Sequence, residues 1–362
     1  MSYSIPSVDQ INRTPNGSYT AVSTFSGSGG GCLGLKLAGF DVRWASEFIP
    51  AAAEVYRMNH PNTILSTDDI REVAPDDICE SIGTEEIDVL EGSPPCASFS
   101  LSGKLDKGWG EVQKYSDTEQ RVDDLFWEYI RLIDGLRPKA FVAENTSGLV
   151  QGRSKGYFKS ILRDMREVGY RVTASVIAAA YLGVPQHRRR LFFIGIRDDL
   201  RTDPPIPDPE DEIVTVAEAW EKPFEHEDYR ELKPGTVIRR CYDQRRPSDG
   251  TSLGSVYRRL YGKTGAFNHV VLRYDRPSPT VTQVDQHYHP SEPRSLSIGE
   301  LRRICAYPDD FALTGSMRKK WERIARAVPP LMMFKIAERI TLMITRVLQG
   351  SNLNSTRLVP AR

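Results

Sequence analysis

The chain carries no net charge. Its 48 lysines and arginines are balanced by 48 aspartates and glutamates over 362 residues. That excludes attraction of a polyanion by the molecule as a whole and requires any basic surface to be local. No apolar, uncharged run reaches the roughly 20 residues that a membrane-spanning helix needs, and the polar opening from Met1 to Asn16 shows no secretory leader pattern. Cysteine is scarce: Cys32, Cys79, Cys96, Cys241 and Cys305 are odd in number, scattered and without CxxC spacing. This speaks against a disulfide framework or a zinc site, so no metal is expected, and for a reducing cytoplasmic setting. Repeats and low-complexity tracts are absent as well. What is present, 40% hydrophobic and 27% charged residues, is a globular composition sufficient for one large domain or two smaller ones.

Tyr19 to Phe25 reads as a strand. It runs into Ser26-Gly27-Ser28-Gly29-Gly30-Gly31 and then a stretch with helical spacing, Cys32 to Gly39. Strand, glycine loop, helix is the arrangement that brings backbone N–H groups against a nucleotide-like ligand, although glycines also serve plain turns. A second strand, Val42 to Ser46, ends at Glu47, a position from which a carboxylate accepts hydrogen bonds from ribose hydroxyls. The closing Gly-Lys-Ser/Thr of a P-loop is missing, which argues against nucleotide hydrolysis. Ala51 to Asn59 is helical. Asp68-Asp69-Ile70 then follows another short extended segment, and an Asp there either faces the adenine of the same ligand or caps a helix before Arg71-Glu72.

The apolar run Ile87 to Leu90 is a buried strand that delivers Pro94-Pro95-Cys96-Ala97. Two prolines restrict the backbone, so the thiol is held in place. Helical periodicity from Arg121 to Leu136 and a strand from Ala140 to Ala143 lead to Glu144-Asn145, a carboxylate at the exit of a buried strand. Phe158 to Val168 and Tyr170 to Ala180 form a further helix–strand pair. Gly183-Val184-Pro185-Gln186-His187-Arg188-Arg189-Arg190 then feeds the strand Leu191 to Ile196.

The texture changes at Arg201. Pro204-Pro205, Pro207 and Pro209 mark a linker, and an acidic stretch runs from Glu210 to Glu231. From Thr236 onward Arg239, Arg240, Arg245, Arg246, Arg258, Arg259 and Lys263 are interleaved with Tyr242, Tyr257 and Tyr261. Such a mixture suits phosphate contacts combined with base-edge or stacking contacts, and equally a solvated surface loop. Arg276 to Thr282 resumes an ordered segment. Arg326-Ala327-Val328-Pro329-Pro330 precedes a long amphipathic helix, Leu331 to Leu348, whose prolines make a firm start.

Taken in order, these segments resemble the DNA (cytosine-5) methyltransferase family over most of the chain. Phe25-Ser26-Gly27-Ser28-Gly29-Gly30 with Gly34 is similar to its cofactor loop, and Glu47 and Asp69-Ile70 to its ribose and adenine contacts. Pro94-Pro95-Cys96, with Phe99-Ser100 behind it, resembles the nucleophile motif. Glu144-Asn145-Thr146 resembles Glu-Asn-Val, and Gln186-x-Arg188-x-Arg190 resembles Gln-x-Arg-x-Arg. Arg276 to Thr280 is similar to the segment supporting the target-recognition region, and Ala327-Val328-Pro329-Pro330 to the closing motif.

The resemblance implies an α/β fold: a Rossmann-like S-adenosyl-methionine-dependent methyltransferase domain at 18–200 and a smaller irregular target-recognition domain at 201–318. A C-terminal segment at 319–350 would pack back on the first, with tails at 1–17 and 351–362. S-adenosyl-methionine would be held by Phe25, Ser26, Gly27, Ser28, Gly29, Gly30, Glu47, Phe48, Asp69, Ile70, Pro94, Arg326, Ala327 and Val328. The catalytic set would be Cys96, Glu144, Arg188 and Arg190. Double-stranded DNA would meet Ser98, Ser100, Gln186, Arg239, Arg240, Arg245, Arg258, Arg259 and Thr280. A monomer is expected, with a cognate restriction endonuclease as a further partner. The rival readings are an RNA cytosine methyltransferase on the same scaffold and a DNA-binding module without activity.

The implied chemistry explains the residue types. C5 of an aromatic cytosine is too weak a nucleophile to attack a methyl sulfonium, and thiolate addition at C6 makes C5 enamine-like. Cys96 is the expected nucleophile, its thiolate favoured by cations such as Arg188 and Arg190. Glu144 would hold or protonate N3, Arg190 would hold the O2 side, and Arg188 would position Glu144 or the backbone. The target base must be flipped out, with the segment from Arg201 to Val271 reading the major groove.

Three positions depart from the family pattern: Ala97 replaces a Gln, Cys32 a Ser, and Arg326 the Asn on the wall of the cofactor site. A permanent charge in a closed pocket is costly without a partner, and an Arg fork grips a carboxylate well. Either Arg326 selects carboxy-S-adenosyl-methionine and the product is 5-carboxymethylcytosine, or it turns outward and the donor is ordinary S-adenosyl-methionine.

Overall fold

The computed structural model describes residues 3–13, 19–95, 113–115, 118–122, 124–263 and 268–355. The expected nucleophile Cys96 and its neighbours Ser98 and Ser100 therefore lie outside the described residues. The first element, α1 (Val8–Arg13), corrects the expectation of a polar tail. Val8 and Ile11, three apart on one helical face, are buried, and the Val8 N–H donates to Asp310 Oδ1 at 2.8 Å.

Strands and helices then alternate as β1 (Tyr19–Thr24), α2 (Gly30–Leu37), β2 (Phe40–Ser46), α3 (Pro50–Asn59), β3 (Ile64–Ser66), α4 (Pro75–Ile82) and β4 (Val89–Gly92). A hairpin of β5 (Gln113–Tyr115) and β6 (Thr118–Gln120) precedes α5 (Leu125–Leu136), β7 (Ala140–Thr146), α6 (Lys155–Glu167), β8 (Tyr170–Ala178), β9 (Gln186–His187) and β10 (Arg189–Arg197). The main sheet has seven strands in the order β3-β2-β1-β4-β7-β10-β8. Its first five strands are parallel. Helices cover both faces, which is why Ala140–Ala143 and Leu191–Ile196 are continuous buried runs rather than alternating ones. The sheet is Rossmann-like.

One feature of the topology positions the site. Parallel strands present their carboxyl ends at one edge, where α/β sheets bind ligands. β10 runs antiparallel to β7 and β8, so it brings its amino end to that same edge. Its register sets Arg190 opposite Thr146 and Phe192 opposite Glu144.

The remaining elements are short: α7 (Val216–Ala219), α8 (Val237–Asp243), α9 (Leu253–Tyr261), β11 (Val270–Val271), β12 (Ser278–Pro279), β13 (His287–Tyr288) and α10 (Ile298–Ile304). Leu232, Cys241, Tyr242, Leu253 and Val256 form a small core there. By contrast, Leu296, Ile298, Leu301 and Ile304 share a core with Leu33 of α2 and Val55 of α3. That core also takes in Trp321 and Ile324 of α11 (Met317–Arg326).

The last helix, α12 (Pro330–Ser355), extends past the expected end at Leu348. Its Met332, Met333, Ile336, Ala337 and Ile340 pack with Cys32 and Leu35 of α2 and with the sheet. The two helices touch at Gly34, where a Cβ would stand 2.5 Å from Pro330 O and 2.6 Å from Met333 Cβ. No helix among the described residues is long and apolar enough to cross a membrane.

Candidate active site

A cavity of about 630 Å³ opens along the carboxyl edge of the sheet. Its wall includes Phe25, Ser26, Gly27, Ser28, Glu47, Phe48, Asp69, Ile70, Pro94, Glu144, Arg190, Thr280, Arg326, Ala327 and Val328. Residues 300 positions apart in the chain are thus brought to one surface.

The glycine loop is a cradle that side chains would fill. Gly27 and Gly29 have φ of 58° and 90°, a conformation open to glycine. A Cβ on Gly29 would lie 2.1 Å from His60 Nε2, and one on Gly30 would lie 2.5 Å from Val328 O. The loop is tied to its surroundings: Ser28 Oγ donates to Arg323 O at 3.1 Å. Glu47 accepts from the Gly27 and Ile49 N–H groups, each at 2.7 Å. Burial pushes the Glu47 carboxyl up, opposed by those two N–H donors. Asp69 turns its carboxylate to Arg71 at 2.9 Å, and Arg71 also pairs with Asp124 at 2.6 Å. Phe48 is exposed on the wall.

At the other end of the cavity Arg190 Nε lies 2.9 Å from Glu144 Oε1. Both project from the shared edge because β10 runs against β7. Beside them the buried Asn145 donates from Nδ2 to Pro94 O at 3.1 Å, pinning the base of the loop that leads to Cys96. Nothing in the Glu144-Asn145 pair as a sequence announces this role for Asn145. Three further residues carry no sequence signal either: Arg323 and Glu91 on the cavity wall, and Glu322, whose Oε1 lies 2.8 Å from Arg326 Nε.

Arg188, grouped with the catalytic residues and expected to position Glu144 or the backbone, takes the second role. It is buried away from the cavity and donates to Ala325 O, Arg326 O and Ala327 O at 2.9, 3.2 and 3.1 Å. Burial and the neighbouring Arg190 push its guanidinium down to about 10. Arg188 therefore positions the backbone of the closing motif rather than Glu144. Gln186, expected on DNA, is fully buried. Its amide donates to Cys305 Sγ and Ile304 O and accepts from the Val281 N–H. β9 and β12 pair in parallel at this point, and Thr280, also expected on DNA, donates its hydroxyl to His187 O.

Three of the five expected DNA-facing arginines are engaged inside their own region. Arg239 pairs with Asp243 at 2.9 Å. Arg259 pairs with Asp249 at 2.9 Å. Arg245 lies over the Tyr242 ring at 3.8 Å and donates to Tyr242 O and Pro290 O. Arg240 and Arg258 are exposed.

A Rossmann-like sheet with a glycine cradle, acids at successive strand ends and a carboxylate–guanidinium pair beyond them defines the class of S-adenosyl-methionine-dependent methyltransferases. Residues 19–342 match the family model of the C-5 cytosine-specific DNA methylase, and the chain belongs to that family. It is 29% identical over 340 residues to the Type II methyltransferase M1.HphI of Haemophilus parahaemolyticus, covering 91% of this chain and 88% of that protein. It is 30% identical over 336 residues to the Type II methyltransferase M.NgoFVII of Neisseria gonorrhoeae, covering 88% and 85%.

Among solved structures, a candidate DNA modification methyltransferase encoded within an Escherichia coli prophage superposes with a TM-score of 0.70. It shares 21% identity and covers 91% of this chain and 100% of that one. The DNMT2 of Spodoptera frugiperda superposes with a TM-score of 0.60 at 16% identity, covering 90% and 100%. These two likenesses are of fold. S-adenosyl-methionine suits the residues present: the glycine loop lines the cavity without bulky side chains, Glu47 and Asp69 offer acceptors, and Phe48 offers an aromatic face.

Proposed function

We propose that this protein methylates C5 of a cytosine flipped out of duplex DNA, with Cys96 adding to C6 of the ring. The observation that supports it best is the Arg190–Glu144 pair on the cavity wall, beside an Asn145 that pins the backbone two residues before Cys96. S-adenosyl-methionine, when bound by the glycine loop, Glu47 and Asp69, supplies an electrophilic methyl group. Glu144, oriented by Arg190, holds a proton at N3 as the thiolate adds. Arg190 reaches the O2 side. Electron density then accumulates at C5, which would take the methyl group as its bond to the donor sulfur breaks and leaves a neutral thioether. A base or water would then remove the C5 proton, and Cys96 would be expelled as thiolate. Within 201–318, the part with its own small core around Leu232, Cys241, Leu253 and Val256 serves as the target-recognition domain, while Leu296 to Ile304 pack with α2 and α3. The exposed Arg240 and Arg258 meet phosphates. The named Type II relatives support a modification role beside a restriction endonuclease.

The donor is ordinary S-adenosyl-methionine. Arg326 already has a carboxylate partner, Glu322, on its own helix, and it donates to Gln283 Oε1 at 2.8 Å. Carboxy-S-adenosyl-methionine remains the second reading because Arg323 and Arg326 both line the cavity.

Nucleoside mass spectrometry of duplex DNA incubated with the protein and both donors in competition tests this. We expect 5-methylcytosine from wild type and from Arg326→Asn. A 5-carboxymethylcytosine product that Arg326→Asn abolishes would reverse the donor assignment. Product on RNA alone would overturn the DNA reading, and absence of a trapped complex on 5-fluorocytosine DNA would overturn the Cys96 step.

A further inference from the structure

Glu91 is a carboxylate inside the sheet. It belongs to β4, is 3% exposed, and occupies a strand where a buried α/β sheet ordinarily carries Val, Ile or Leu. Its Oε2 accepts from Ser23 Oγ at 2.5 Å, and Ser23 Oγ in turn lies 2.8 Å from Ser26 Oγ in the glycine loop. Its Oε1 stands 2.8 Å from the place a Cβ on Gly31 would occupy, so the carboxyl fills the gap that this glycine leaves in the first turn of α2.

The titratable groups that feel it are Cys32 from α2, Tyr56 from α3, Tyr129 from α5 and Glu144 from β7. None of these is a cation, and no lysine, arginine or histidine among the described residues is ion-paired with Glu91. Burial, with Glu144 adding to it, pushes the carboxyl up to about 7. Such a group is costly to keep ionised unless a positive charge arrives. Glu91 nevertheless contributes to the cavity wall, together with Gly31, Ser93 and Pro94.

We propose that Glu91 is the counter-charge for a cationic centre of the donor, the sulfonium or the α-ammonium of S-adenosyl-methionine. The proposal rests on reading the cavity as the donor site. Below about pH 7, donor binding then converts a protonated Glu91 into a paired carboxylate, and the proton goes to solvent. Glu47 and Asp69 also face the cavity, and their contribution persists in a Glu91 variant, so it cancels in the comparison.

The test is isothermal titration calorimetry on the full chain at pH 6, 7 and 8, in two buffers of unlike ionisation enthalpy. The ligands are S-adenosyl-methionine and S-adenosyl-homocysteine, and the proteins are wild type and Glu91→Gln. Wild type should release close to one proton per donor near pH 6 and almost none at pH 8, and bind about tenfold more weakly at pH 6 than at pH 8. Glu91→Gln should release none from this group, lose that pH dependence, and bind about tenfold more weakly than wild type at pH 8.

A loss confined to S-adenosyl-methionine assigns the sulfonium, and an equal loss for both ligands assigns the ammonium. Wild type and variant with equal affinities and equal proton counts would overturn the role of Glu91 alone. A wild type that binds neither ligand would overturn the donor-site reading and this role with it. Thermal melting of the ligand-free variant at pH 8 checks that it is folded.

Discussion

Replacing Arg188 with lysine should loosen the wall of the donor cavity while leaving the reacting groups in place. The guanidinium spans three carbonyls, those of Ala325, Arg326 and Ala327, at the carboxyl end of α11, where backbone carbonyls lack partners within the helix. A planar fork reaches all three, whereas an ammonium on a flexible stem reaches one or two. A hydrogen bond to a charged group contributes about 1.5–3 kcal/mol, so the variant should lose about 2–3 kcal/mol. At ~2–4 °C per kcal/mol for a large domain, the melting temperature should fall by roughly 5–10 °C.

Ala325, Arg326 and Ala327 line the cavity, so the KM for the donor should rise several-fold. The value of kcat should change little, because Glu144 and Arg190 are untouched. Thermal melts and steady-state methylation over a range of donor concentrations check both. A melting temperature within about a degree of wild type together with an unchanged KM would refute the positioning role. A collapse of kcat with both of those unchanged would instead return Arg188 to the reacting base.

Three further outcomes follow from the same geometry. Gly34→Ala should cost about 1–3 kcal/mol in urea unfolding, since its Cβ would press on Pro330 O, Met333 Cβ and the Phe334 N of α12; an unchanged midpoint would mean the two helices part freely. Glu144→Gln should lower kcat by about 10²–10⁴-fold with DNA affinity in gel-shift assays kept within a few-fold, and full activity would remove Glu144 from the proton path. The raised Glu91 carboxyl, at about 7, makes the folded state bind more protons than the unfolded one between roughly pH 4 and 7. Its stabilising contribution is complete below that window and is lost as pH rises through it, by up to ~3 kcal/mol. Ligand-free Glu91→Gln should therefore gain on wild type between pH 5 and pH 8 in urea unfolding, and a gap that does not change with pH would contradict the assignment.

Much of the site was legible because its signals are short-ranged. The glycine loop after β1, Glu47 after β2 and Glu144-Asn145 within β7 each sit where one strand ends, and a strand end is written in a few consecutive residues. Gln186, Arg188 and Arg190 share one short motif, yet their partners lie in different parts of the fold. The chain divides them between β9, the gap before β10 and β10 itself, so one joins Val281 to Cys305, one holds the closing motif, and one reaches Glu144. The partner of Arg326 was nearer to hand. Glu322 stands four residues earlier, but the pair is visible only once 317–326 is known to be a helix. The Arg239–Asp243 pair on α8 was hidden for the same reason.

The amino-acid sequence by itself determined the strand–loop–helix order, the family and the residue types available for chemistry, because these depend on local pattern and on motif order. The tertiary structure decided which of those residues face the cavity and which are consumed in holding it. That choice depends on partners brought together across the chain, as when antiparallel β10 carries Arg190 to Glu144. It depends equally on the cost of leaving a buried polar group without one, which commits Arg188, Gln186 and Asn145 to the backbone around them.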